Sequence, residues 1–277
     1  MADNTQQIEY WNGPSGQRWA SLYEMTERSM SFITSALMPF AAAREGEHVL
    51  DIGCGCGSTA LLLARAVGAH GKVSAVDISR PMLDVARARA TEAGLEIEFR
   101  EADASVTDFG PGFDLVFSRF GVMFFAEPEA AFANIRKALK PGGRIAFVCW
   151  RALAENAWAA QPIAVARDLL PPEPPPDPFA PGPFAFADSS RLLQILARAG
   201  FREPGAEKLD TLMNLGANLD DAVGASLSIG PLARAAVELD ELTRARVRER
   251  VREVLMPYQT PAGVAPPAAC WLVRARA

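Results

Sequence analysis

Along the first half of this chain, short apolar runs bounded by glycine alternate with longer segments in which apolar positions recur every three or four residues. The first long segment, 18–40, reads as helical, in one piece or two. Gly46 then introduces a short apolar strand, His48-Val49-Leu50-Asp51-Ile52, which runs into a glycine-rich turn, Gly53-Cys54-Gly55-Cys56-Gly57. Ser58 or Thr59 is placed to cap a helix over 59–67. Lys72 to Asp77 reads as a second strand, and Ser79 as the cap of a helix that reaches Ala93 and stops at Gly94. Further strands are expected at Glu96 to Arg100 and at Phe113 to Ser118. A helix from Glu129 to Leu139 meets the turn sequence Lys140-Pro141-Gly142-Gly143, and a fifth strand follows from Arg144 to Trp150. Strands alternating with helices of about 10–15 residues imply parallel βαβ units.

After Trp150 the rhythm breaks. Residues 154–170 suit a helix disturbed by Pro162, and eight prolines fall between Pro171 and Pro183, where neither helix nor central strand can continue. That stretch reads either as a stiff surface linker or as part of a lid or substrate wall. Asp188 is placed to cap a helix over 189–199, closed by Gly200. Two late strands, near 206–214 and at Cys270 to Arg274, enclose mostly helical material over 219–256.

Composition narrows the function classes. With 277 residues, 49% hydrophobic and 22% charged, the chain has enough apolar mass for one large α/β domain with elaborations. A formal net charge of −5 gives no general attraction to nucleic acid or anionic lipid. The basic run Arg244, Arg246, Arg248, Arg250 and Arg252 is interleaved with Asp240, Glu241, Glu249 and Glu253, the pattern of a solvated helix face. Of the four cysteines, Cys54 and Cys56 stand too close for a zinc pair, and Cys149 and Cys270 sit in apolar runs as buried thiols. No metal site and a reducing, cytoplasmic setting are therefore expected. The first residues lack a leader-like pattern, and no apolar run approaches the roughly 18–20 residues of a membrane span.

The glycine turn carries the chemistry. At the junction of strand and helix it lets the main chain approach a ligand closely, and the helix start offers free N–H groups. A dinucleotide fingerprint would need its third glycine at position 58, where Ser58 stands, and no Gly-Lys-Ser/Thr of a phosphate loop follows. This disfavours an NAD-type oxidoreductase. Val49 to Gly57 instead resembles the first motif of the class I S-adenosylmethionine-dependent methyltransferases. Further landmarks of that family fall in order: Asp77 ending the second strand, Glu101-Ala102-Asp103-Ala104 after the third, Phe113 to Ser118, and Leu139 to Gly143. Within the class the chain looks most like the small-molecule group related to quinone-biosynthesis C-methyltransferases.

The resemblance implies a doubly wound, mostly parallel seven-stranded sheet of Rossmann-like methyltransferase type, with N-terminal helices and inserted lid segments. It divides the chain into an N-terminal helical lid (1–40), a cofactor-binding core (41–150), a proline-rich insertion (151–187) and the rest of the core with a helical insertion (188–277). S-adenosylmethionine becomes the expected cofactor and S-adenosylhomocysteine the product. By the same resemblance, Gly53, Cys54, Gly55 and Gly57 cradle the cofactor and Asp51 lies near its methionine end. Asp77, next to Ile78, holds the ribose hydroxyls, since an ionised carboxylate makes strong charge-assisted bonds. Asp103 and Ala104 face the adenine, with Met82 packed against it; Met82 could equally be a plain core residue. Ser118 and Arg119 close the fourth strand, and Arg119 either orients an anionic acceptor or pairs with a surface carboxylate. Trp11 and Trp19, in a segment also holding Tyr10 and Gln17, are expected to close the methionine side, with residues 1–17 mobile until ligand binds.

No catalytic residue is named. His48 opens the first strand at its wrong end and His70 lies in the turn before the second, while Ser118 to Phe125 contains no histidine. Methyl transfer from a sulfonium needs mainly alignment and dryness. Phe120, Phe124, Trp150, Trp158 and Phe184 suggest an aromatic-lined pocket, hence an aromatic or polyketide-like small-molecule acceptor. A cofactor-binding protein without catalysis is the main alternative. Methylation of RNA or protein lacks its usual basic groove, and a homo-oligomer stays open.

Overall fold

The computed structural model describes residues 4–172 and 177–277. Residues 173–176 of the proline run lie outside the described residues. Four helices open the chain: α1 (Thr5–Asn12), α2 (Pro14–Ser21), α3 (Tyr23–Ser29) and α4 (Ser31–Ala41). Helix thus begins at Thr5 rather than near 18. The Gly13-Pro14 pair restarts a helix instead of excluding one, because Pro14 takes the first helical position, where its missing N–H is no loss. Helix α4 turns Ile33, Leu37 and Ala41 inward at helical spacing.

Strict alternation follows: β1 (His48–Ile52), α5 (Ser58–Val67), β2 (Lys72–Asp77), α6 (Arg80–Glu92), β3 (Glu98–Glu101), β4 (Phe113–Arg119), α7 (Pro128–Arg136) and β5 (Leu139–Trp150). The second half adds α8 (Ala157–Ala166), α9 (Ser189–Arg198), β6 (Arg202–Leu212), α10 (Leu219–Ser226), α11 (Gly230–Ala235), α12 (Glu241–Leu255), the small pair β7 (Gln259–Thr260) and β8 (Gly263–Val264), and β9 (Pro267–Arg276). The main sheet has seven strands in the order β3-β2-β1-β4-β5-β9-β6. Its first five are parallel, and β9 runs antiparallel to both β5 and β6. This is the doubly wound, mostly parallel sheet that the strand–helix rhythm implies. Its central strands are apolar on both faces, with Val49, Leu115, Val116, Phe117, Ile145, Phe147 and Val148 all buried, as helices on both sides require.

Three local expectations are corrected. The Lys140 to Gly143 turn does not precede β5 but is absorbed by it. Phe113 pairs with Leu139 and Leu115 with Arg144, so 140–143 bulge out of register. Neither Ser58 nor Thr59 caps α5: Gly57 holds that position, and Thr59 Oγ1 donates to Asp51 instead. Ser79 does occupy the N-cap of α6, but its hydroxyl donates to the Trp11 carbonyl rather than accepting from the helix. Asp188, by contrast, accepts from the Ser190 and Arg191 N–H groups as a cap should.

The late strands are longer than their apolar patterns show. The arginine-rich stretch forms α12, where Arg248, Arg250 and Arg252 pair with Glu241, Asp168 and Asp220. Among the described residues no helix is long and apolar enough to cross a membrane, and no group of His, Cys, Asp or Glu gathers to hold a metal ion.

The topology places the site. Parallel strands bring their C-terminal ends to one edge, and the strand order reverses between β1 and β4, which opens a crevice there. Asp51 and the glycine turn, Asp77, and Ser118 with Arg119 end the three strands around that crevice.

Candidate functional site

The glycine turn has left-handed backbone at Gly53, Gly55 and Gly57 (φ 68°, 53° and 80°), which accounts for glycine at each position. Their surroundings differ. A Cβ on Gly53 would lie 2.6 Å from the Gly121 Cα, so two backbones meet there. On Gly55 it would meet nothing nearer than the Met82 sulfur at 3.8 Å. A Cβ on Gly55 would therefore sit in ordinary contact with Met82, itself buried on α6, without a clash.

Two carboxyls flank this turn. Asp77 accepts from the Gly55 N–H and the Ser79 N–H, each at 2.8 Å, and so fastens the turn to the end of β2. Burial pushes its carboxyl above the ordinary value, against backbone N–H donors from Ser79, Gly55 and Ile78 that favour the charge. Asp51 is fully buried. Its Oδ2 accepts from Thr59 at 2.7 Å, and its Oδ1 has no partner among the described residues. Burial pushes Asp51 up to about 7, opposed by Thr59 and Arg119 and assisted by Asp77 and Glu27. Cys54, beside it, is a buried thiol raised well above its usual range by burial. Asp103 accepts from the Ser105 N–H and from Asn4, and the Ala104 carbonyl accepts from Asn134.

On the β4 side, Ser118 is fully buried; its hydroxyl donates to the Ile52 carbonyl and accepts from the Gly121 N–H, tying β4 to β1 at the crevice. Arg119 pairs with a carboxylate, one of its two expected roles, but from a buried position. Its side chain is only 8% exposed; both Nη atoms reach the partly exposed Glu27 on α3, at 2.5 and 2.9 Å, and one also donates to Thr34 at 2.8 Å.

The N-terminal helices cover the crevice. Trp11 packs edge-on against Tyr10, Trp19 and Phe124, with centroids 5.2, 5.8 and 5.5 Å apart. Asn12 donates to the Ile78 carbonyl and accepts from the Arg80 N–H, while Ser79 donates to the Trp11 carbonyl. The expected aromatic pocket is divided. Phe120 (φ 65°) stacks on Trp150 at 4.2 Å, and Trp150 meets Trp158 at 5.0 Å in a buried pile. Phe124 joins Trp11 instead, and Phe184 is half-buried against the core.

Residues 49–143 match the family model described as a methyltransferase domain. This segment is similar to a methyltransferase domain. An aklanonic acid methyltransferase of Streptomyces is 42% identical over 104 residues, covering 37% of this chain and 47% of the relative. A demethylmenaquinone methyltransferase of Thermus thermophilus is 37% identical over 133 residues, covering 46% and 60%. The chain spans about half the length of the curated relatives it matches. A crystal structure of a putative methyltransferase from Bacillus halodurans shares the fold, with TM-score 0.56 and 22% identity over 88% of this chain and 97% of that one.

Around this segment, sequence reasoning misses several residues that the fold brings in. Glu27 and Thr34 come from α3 and α4; Asn12 and Ser79 join the N-terminal cover to β2. Gly16 completes this junction, since a Cβ there would fall 1.8 Å from the Trp11 carbonyl oxygen. The one local signal is the crowding of Gly13, Pro14 and Gly16 beside two tryptophans, which marks a close approach without saying to what.

Proposed function

We propose that this chain binds S-adenosylmethionine at the glycine turn and transfers its methyl group to a small aromatic acceptor. The observation that carries this reading is the left-handed glycine turn at the crevice together with the unpartnered Oδ1 of buried Asp51. A glycine-bared main chain in the same turn as a carboxyl lacking a partner suits a ligand with both polar and cationic groups. The bound cofactor would supply an already activated methyl group. Asp77, ending β2, and Asp103, two residues after β3, would make the ribose and adenine contacts that the family resemblance implies. The chain's other contribution is alignment and exclusion of water by Trp11, Trp19 and Phe124. The names of two relatives, acting on aklanonic acid and demethylmenaquinone, support a fused-ring or quinone-like acceptor. Calorimetry should find micromolar binding of S-adenosylmethionine and S-adenosylhomocysteine, on the order of −8 kcal/mol, and none of NAD. Transfer of labelled methyl to polycyclic phenols or quinols then tests the acceptor. Binding of NAD with neither sulfur compound bound would overturn the proposal.

A further inference from the structure

The front and the back of the glycine turn are fastened by different elements. At the front, the Val76 carbonyl accepts from the Gly53 and Cys54 N–H groups at 2.8 and 3.1 Å, and Asp77 accepts from Gly55. The end of β2 thus holds residues 53–55. Residues 56–58, where the turn becomes helix α5, are held from the other side by α6.

Helix α6 presents one stripe of side chains to the turn. Met82, Ala86 and Arg89 follow at intervals of four and three residues, the spacing of a single helix face. A Cβ on Gly55 would meet the Met82 sulfur at 3.8 Å, and one on Gly57 would press on the Ala86 Cβ at 2.9 Å. Half-buried Arg89 is the polar end of the stripe. Its Nη1 donates to the Cys56 carbonyl at 2.6 Å and to the Ser58 hydroxyl at 2.7 Å. Cys56 and Ser58 are both buried, and a buried acceptor deprived of its donor disfavours the conformation that buries it. A guanidinium donor makes such bonds of the stronger, charge-assisted kind. The arginine is itself seated: its guanidinium carbon lies over the Tyr23 ring of α3, 4.8 Å from the centroid, as a cation on an aromatic face. Arg87, two residues earlier, lies on the exposed side of α6 and pairs with Asp84.

We propose that Arg89 is a positioning residue of the cofactor site. It fixes from behind the peptide that joins the glycine turn to α5, and Tyr23 holds the arginine there, so α3 acts on cofactor affinity through Arg89 rather than by contact. The glycine-bared main chain and the free N–H groups that begin α5 meet at this peptide. A turn left to tilt would present both at the wrong angle, and binding depends on that alignment. The inference rests on the cofactor reading for the ligand, but not for the state of the turn.

The test has two arms. In the first, without ligand, amide exchange is followed by NMR in Arg89→Ala. The Gly57 amide, at the back of the turn, should exchange about tenfold faster than in the wild type, while that of Gly55, fastened to Asp77, should change little. In the second arm, S-adenosylhomocysteine is titrated calorimetrically. Arg89→Ala should bind about tenfold more weakly, and Arg89→Lys should recover most of the loss, since an ammonium still donates to a carbonyl and a hydroxyl. Arg87→Ala, which removes the same charge from the exposed side, should bind as the wild type does. Tyr23→Ala should move both readouts in the direction of Arg89→Ala by about threefold, and Tyr23→Phe, which keeps the ring, should reverse this. If Arg89→Ala does not fold, the Tyr23 pair decides in its place. Equal acceleration of Gly55 and Gly57, or of neither, in a folded variant overturns the inference. So does unchanged affinity in Arg89→Ala, or an equal fall in Arg87→Ala, which would make the effect one of net charge. Failure of the wild type to bind S-adenosylhomocysteine, with the first arm as expected, would instead remove the functional reading.

Discussion

Asp51 and the glycines around it tie structure to measurable behaviour one side chain at a time. With its carboxyl pushed up to about 7, against about 3.9 in an unfolded chain, Asp51 binds its proton more tightly folded than unfolded. Its contribution is fully present below the unfolded value and is lost as pH rises through the folded one. The ligand-free protein should therefore lose stability from about pH 4 to about pH 7, by on the order of a few kcal/mol. Asp77 shifts in the same direction, so the diagnostic quantity is the difference: Asp51→Asn should melt with a flatter pH dependence than the wild type. Equal slopes for the two proteins would sink this account.

The glycines make a second contrast. Gly55→Ala has room for its Cβ and meets only the left-handed backbone cost of about 1 kcal/mol, so it should fold and lose cofactor affinity. Gly53→Ala drives its Cβ into the Gly121 backbone at 2.6 Å and should destabilise the fold itself by several kcal/mol. Thermal melts paired with cofactor titrations separate the two outcomes.

At the scale of elements, what is legible in the sequence follows from how local each signal is. The turn after β1, the acid ending β2 and the cap at Asp188 are written within a few residues, because strand, turn and helix start are local events. Arg119 and Glu27 are 92 positions apart, and nothing near either residue marks the pair. Thr59 and Ser79 look like helix caps, yet tertiary partners, Asp51 and the Trp11 carbonyl, take their hydroxyls. A capping hydroxyl contributes only about 1 kcal/mol, so a buried acceptor in reach can outcompete it. Likewise, the helices before residue 18 show no usable apolar period, since α1 buries no residue fully and gains its place from a few specific contacts.

Those contacts make Gly16 testable. Gly16→Ala would set a Cβ 1.8 Å from the Trp11 carbonyl oxygen and 2.9 Å from the Ser79 hydroxyl, so α1 and α2 should part from the end of β2. Tryptophan fluorescence should shift to the red as Trp11 meets water, with the main melting transition retained. An unshifted spectrum in the variant would show that the junction yields without opening.

Across the whole molecule, the N-terminal helices bridge strand ends on either side of β1. Asn12, Ser79 and the Trp11 carbonyl bind them to the end of β2, and Glu27 with Arg119 binds them to the end of β4. The glycine turn and Asp51 lie between these two fastenings. The fastenings are unequal. The one at β4 is a bidentate ion pair, its arginine buried, next to α4, whose Ile33 and Leu37 belong to the core. The one at β2 is three neutral hydrogen bonds and a half-buried aromatic cluster, and α1 contributes no fully buried residue. Segments with few buried apolar contacts open at a small fraction of the global free energy. Helices α1 and α2 should therefore swing from the β2 end as a unit while α3 and α4 stay in place. Such a cover admits the cofactor when open and excludes water when closed, as lids do. Hydrogen exchange reads this directly: without ligand, amides of α1 around Trp11 should exchange far faster than those of α4, and S-adenosylhomocysteine should slow them while leaving α4 unchanged. Removing residues 1–21 should weaken cofactor binding without unfolding the sheet. If the Trp11 amides are protected equally with and without ligand, the helices are fixed packing and cofactor entry must use another route.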